Sequence, residues 1–67
     1  MANEYTYYHL SIVTGTMQYS RQTEYELDAY RDMKRMARLY DLSDKDCTID
    51  RVTVDENGVE LNRWTIF

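Results

Sequence analysis

Residues Thr48–Phe67 read TIDRVTVDENGVELNRWTIF. Two runs rich in β-branched and aromatic residues, Thr48–Val54 and Val59–Phe67, flank Asp55-Glu56-Asn57-Gly58. Such side chains fit a pleated surface, and Asn-Gly tolerates the positive φ that a tight hairpin turn requires. The stretch therefore predicts a β-hairpin. With Asn57 and Gly58 as the turn, Val54 faces Leu61, Val52 faces Arg63, Arg51 faces Trp64 and Ile49 faces Ile66. Side chains alternate between faces along a strand. Val52, Val54, Val59 and Leu61 then share one face, expected to be the core. Ile49, Trp64 and Ile66 share the other, expected to be exposed unless a bulge near Asp50 or a partner intervenes.

Working back from this hairpin, Tyr5–Thr14 (YTYYHLSIVT) reads as a strand with Tyr8, Leu10 and Ile12 on a core face. Tyr5, Tyr7, His9, Ser11 and Val13 fall on the other face. Thr14-Gly15 signals a turn, and Thr16–Gln22 alternates Met17, Tyr19 and Arg21 against polar residues, as a half-buried edge strand does. Thr23-Glu24-Tyr25-Glu26 fits a capping box, in which Thr and Glu side chains satisfy free amides at a helix start. Ala29, Tyr30, Met33, Met36, Ala37 and Tyr40 recur at helical spacing and define one apolar face, with Tyr30 and Tyr40 expected in the core, which predicts a helix from about Glu24 to Tyr40. Asp28 at its start and Arg35 and Arg38 near its end suit the helix dipole. Asp41–Asp46 is a polar connection from which Leu42 folds back to close the core.

The order is β-β-α-β-β. The fold class is α+β, a four-stranded antiparallel sheet with one helix packed on one face, and residues 1–67 are expected to form one domain. The order of strands within the sheet does not follow from the sequence.

Composition narrows the chemistry. The chain of 67 residues has no proline, one cysteine (Cys47) and one histidine (His9), which excludes an intrachain disulfide and a cysteine-based zinc site. Twelve acids against eight bases give a net charge of −4, which argues against a general nucleic-acid binder and suits a partner with a basic surface. No stretch approaches the roughly 20 apolar residues of a membrane span. Met1–Leu10 has neither the basic start nor the apolar run of a secretory signal, so with the free Cys47 a cytoplasmic location is expected.

Several constellations resolve into ordinary structure. Asp44, Asp46, Thr48, Asp50 and Asp55 follow the spacing of a calcium loop, but Ile49 stands where its sharp turn needs glycine. A solvated acidic segment is the simpler reading, and no metal or cofactor is expected. No helix N-terminus or cationic cluster lies beside Cys47 in sequence to lower its pKa, so a buried thiol is preferred to a Cys47–His9 pair. Gly15 and Gly58 are isolated and make no phosphate loop. No catalytic set emerges, and the chain is expected not to be an enzyme. Arg31, Lys34, Arg35 and Arg38 interleave with Asp28 and Asp32 at spacings of intrahelical charge pairs. Tyrosine is the outlier, with seven residues. Large, stiff, amphipathic rings are enriched in binding hot spots. Tyr5, Tyr7, His9, Arg51 and Trp64 on the outward sheet face are the first candidate surface; Asp41, Asp44, Asp46 and Asp50 are the second.

A proline-free acidic chain of this length with the β-β-α-β-β order resembles small phage-encoded anti-defence proteins, including anti-CRISPR proteins. The resemblance implies an inhibitor that occupies a surface on a host nuclease complex, in some cases by imitating the charge of DNA. Here Lys45 and Arg51 interrupt the carboxylates of Asp41–Asp50 and Asp55–Glu60, so mimicry is local only. The leading expectation is a non-catalytic protein-binding inhibitor or adaptor. The alternatives are a small nucleic-acid-associated module, using helix bases and sheet aromatics, and a homodimeric subunit whose exposed sheet surface meets a second copy.

Overall fold

Each alternating run becomes a strand in the computed structural model of the chain, which describes residues 3–67. The elements are β1 (Glu4–Val13), β2 (Gln18–Thr23), α1 (Glu26–Tyr40), a 3-10 turn (Asp44–Asp46), β3 (Cys47–Asp55) and β4 (Glu60–Thr65). All neighbours are antiparallel and the strand order is β2-β1-β3-β4. The α+β class and the single helix on one face are as the sequence predicts.

The β3–β4 hairpin keeps the expected partners from Thr53↔Asn62 through Val52↔Arg63 to Arg51↔Trp64. Its turn differs. Gly58 N donates to Asp55 O at 3.0 Å, and only Gly58 (φ 81) has positive φ there. Three residues, Glu56, Asn57 and Gly58, therefore form the loop, with the Asp55 carboxylate accepting from the amides of Asn57 and Val59. A register shift beside Val54, which pairs with Glu60 rather than Leu61, absorbs the extra residue.

The expected core face of this hairpin is reversed. β3 pairs with β1 so that Ile49 lies opposite Leu10 and Cys47 opposite Ile12, and opposed residues share a face. Leu10, Ile12 and Ile49 are fully buried and pack with Cys47, Ala29, Met33 and Met36 under the helix. Each such aliphatic side chain contributes about 1.5–3 kcal/mol on burial. Tyr8, Met17, Tyr19, Tyr30, Leu42 and Ile66 close the rim. Val59 and Leu61 stay exposed. Val52 is fully buried on the face away from the helix, between Tyr7 and Arg63 in the register.

Thr23 does not start the helix. It ends β2 opposite Tyr8 and is buried, with its hydroxyl donating to Tyr25 O. α1 therefore begins at Glu26, with Tyr25 as an N-cap that makes no side-chain cap bond. At the other end Asp41 adopts the left-handed conformation (φ 55), and Leu42 N bonds back to Ala37 O. Tyr40, expected in the core, is exposed. Among the described residues no helix is long and apolar enough to cross a membrane.

The helix of 15 residues is about 22 Å long, whereas the chain extends 45 Å along its longest axis. It packs mainly over β1, β2 and β3. Among the described residues no layer covers the other sheet face, the far arm of the sheet or the β4 edge.

Candidate interaction surface

The register divides the first candidate set. Tyr5, Tyr7 and His9 occupy alternate positions of β1 on the face away from the helix, opposite Val54, Val52 and Asp50. Arg51 and Trp64 pair with each other and with Tyr8, so they lie on the helix side. The expectation that all five share a surface is thus corrected. The cause is the reversed face of the hairpin: once Ile49 is drawn under the helix by Leu10, every second residue of β3 and its β4 partner follows.

On the open face, Tyr5 is exposed and Tyr7 and His9 are half-buried. An ion-pair hub bounds this strip. Arg63 contacts Asp50 at 2.8 Å and Glu60 at 3.0 Å, and Thr65 Oγ1 donates to the other oxygen of Asp50 at 2.8 Å. Burial pushes the Asp50 carboxyl up, but the bonds from Arg63 and Thr65 outweigh it and hold it below the ordinary value. Glu60 is lowered by the same guanidinium, and Arg63 is raised by Glu60 and then Asp50. The result is a flat face with tyrosine hydroxyls and an imidazole beside an ion-paired cluster that keeps one net negative charge.

On the helix side, Arg51 lies over the Trp64 ring at 5.0 Å from its centroid. Tyr30 donates to Ile66 O and meets Phe67 edge-on at 5.9 Å. Trp64 remains 48% exposed, so this stacked pair forms an open ledge beside the helix.

The acidic set is also divided. Asp46 accepts from the Ser43 amide and hydroxyl, and Asp50 is bound to Arg63 on the open face. Asp41 forms the helix C-cap and Asp44 begins the 3-10 turn, leaving these two exposed carboxylates as the accessible part of the segment. Among the described residues no three His, Cys, Asp or Glu side chains come together as a metal site. Cys47 is buried, and burial followed by the charges of Asp46 and Asp44 pushes its thiol up.

One cluster was not legible in the sequence. Asp32 is only 4% exposed, within the buried face of the helix. It accepts from Tyr19 Oη at 2.5 Å and from Arg35 at 2.6 Å, and Arg21 lies 3.3 Å away. Burial raises the Asp32 pKa, but the bonds from Tyr19 and Arg35 and the nearby guanidiniums bring it below the ordinary value. The bond to Asp32 correspondingly raises Tyr19. Spacing within the helix predicts the Asp32–Arg35 pair; Tyr19 and Arg21 arrive only when β2 docks. The arginines, with Arg31 and Asp28, line an open depression.

Comparison of the chain with known protein families, with characterised proteins and with solved structures returned no match.

Proposed function

We propose that this chain is a non-catalytic protein-binding inhibitor or adaptor, working in the cytoplasm by laying its open sheet face on another protein. The observation that supports this reading is the pairing of an uncovered sheet face with Tyr5, Tyr7 and His9 in one strip along β1. Rings held by a strand lose little conformational freedom on contact, and their hydroxyls remain available for hydrogen bonds. The flat shape suits occlusion of a surface better than capture of a small molecule. The reading places the chain with the phage anti-defence, anti-CRISPR-like proteins it resembles, which block a surface on a host nuclease complex. Asp41 and Asp44, exposed at the helix end and outside the open sheet face, are a separate surface that suits a basic partner.

The test is capture from nuclease-treated bacterial lysate with the tagged chain and a Tyr5→Ala/Tyr7→Ala variant, with partners identified by mass spectrometry. The reading expects a nuclease-resistant protein that the variant loses while its circular dichroism is unchanged. Capture that is unaffected by the double substitution removes the strip as the binding surface. Capture that vanishes on nuclease treatment points instead to a nucleic-acid module, with Arg21, Arg31 and Arg35 as the residues to examine, or to a nucleoprotein target, and binding of labelled oligonucleotides by the purified chain separates the two.

A further inference from the structure

We infer that β4 is a homodimer edge, along which two copies of this chain join their sheets antiparallel about a two-fold axis at Trp64. The inference is independent of what the open face binds.

The two sheet edges differ. β2 lies under the helix side, tied by Tyr19 and Arg21 to Asp32. All six residues of β4 are exposed, including Leu61 and Trp64. An uncovered edge with apolar side chains offers unpaired main-chain groups to any strand that fits, and natural sheets pair, cover or charge such edges. Charge does not block this one. Arg63 is paired with Asp50 and Glu60 of its own copy, which leaves each cluster one net negative charge on the open face and no unpaired guanidinium at position 63.

The main chain fixes which registers work. Ile66 N donates to Ile49 O, so the alternation of an antiparallel ladder turns the main-chain groups of Trp64 and Asn62 into the sheet as well. Those of Arg63 and Thr65 point to the free edge. In a continuous sheet, opposed residues share a face, so the axis passes through a residue and not between two. An axis at Asn62 sets Glu60 against Trp64 and Leu61 against Arg63. An axis at Arg63 sets the Arg63–Asp50–Glu60 cluster, with its net negative charge, against its copy. An axis at Thr65 leaves only that residue's own pair of edge bonds, because Phe67 O is already held by Ile49 N. An axis at Trp64 pairs Arg63 with Thr65 of the second copy twice over, giving four ladder bonds. It also places the Trp64 rings side by side at a non-hydrogen-bonded position, where side chains approach most closely. Asn62 then lies opposite Ile66 of the second copy, and Arg51 flanks each ring from its own sheet. The product is one eight-stranded sheet with both helices on the same side.

Sedimentation equilibrium of the whole chain from micromolar to near-millimolar concentration tests this, with two variants. Trp64→Glu sets two carboxylates together at the axis. Thr65→Pro removes an edge amide but no ladder bond within the copy, because the Thr65 amide points outward. The expected results are a mass twice the 8.1 kDa chain for wild type, and a dimer dissociation constant raised about 100-fold or more in each folded variant. A wild-type chain that stays monomeric throughout this range overturns the inference. So does a dimer that persists undiminished in Thr65→Pro, which keeps Trp64 and reports on the edge even if Trp64→Glu fails to fold.

Discussion

Replacing Asp32 with alanine should remove the polar tie between the helix and β2. The carboxylate is 2% exposed, but Arg21 and Arg35 are 52% and 54% exposed, so the two guanidiniums regain water once it is gone. Their ion pairs are therefore screened by solvent and add little. Tyr19 differs: its hydroxyl is part-buried and loses a charged acceptor, a bond worth roughly 1.5–3 kcal/mol. Alanine returns about 0.5 kcal/mol through its better helix propensity. The net loss is about 2 kcal/mol, a large share of the ~3–5 kcal/mol that a core of this size supplies. With a urea slope near 1 kcal/mol/M, the midpoint of unfolding should fall by about 2 M at constant slope. Tyr19→Phe should lose most of the same stability in the wild-type background and almost none in Asp32→Ala, giving a coupling near 1.5 kcal/mol in the double-mutant cycle. A midpoint shift below about 0.5 M, or additive single effects, would refute the assignment of Asp32 as the tie between the two elements.

Two further outcomes follow from the same geometry. Asp32 and Asp50 are both held below the ordinary carboxyl value of 3.8, so the unfolded chain takes up protons first as the pH falls. Their stabilisation should be complete above that value and lost as pH drops through the lower folded pKa values, a slope in urea stability that Asp32→Asn and Asp50→Asn should each flatten. Gly58→Ala should cost about 1 kcal/mol, lowering the melting temperature by about 5 °C, through backbone strain alone. Gly58 sits at φ 81 and an added Cβ meets nothing within 4 Å, so an unchanged melting temperature would contradict the three-residue loop.

The element order, the antiparallel sheet and most of the β3–β4 register were legible in the sequence, because alternation, β-branching and the Asp55–Gly58 turn signal act over a few neighbouring residues. The helix was legible from Ala29, Met33 and Met36, which form its buried stripe. Its start was not, since Thr23 satisfies the pattern of a cap yet is held in β2 by its pairing with Tyr8. Period-2 alternation likewise says that Ile49 and Val52 face opposite ways but not which of them faces the helix. That choice belongs to β3 meeting β1, where Leu10 and Ile49 bury each other, and it sends Arg51 and Trp64 to the side away from Tyr5, Tyr7 and His9. The Asp32 cluster has the same origin, being assembled from two elements that touch only after the sheet has formed. Local pattern thus determined the parts and their order, while the partner chosen by each strand decided which side chains share a surface, because pairing is a contact between residues distant in sequence.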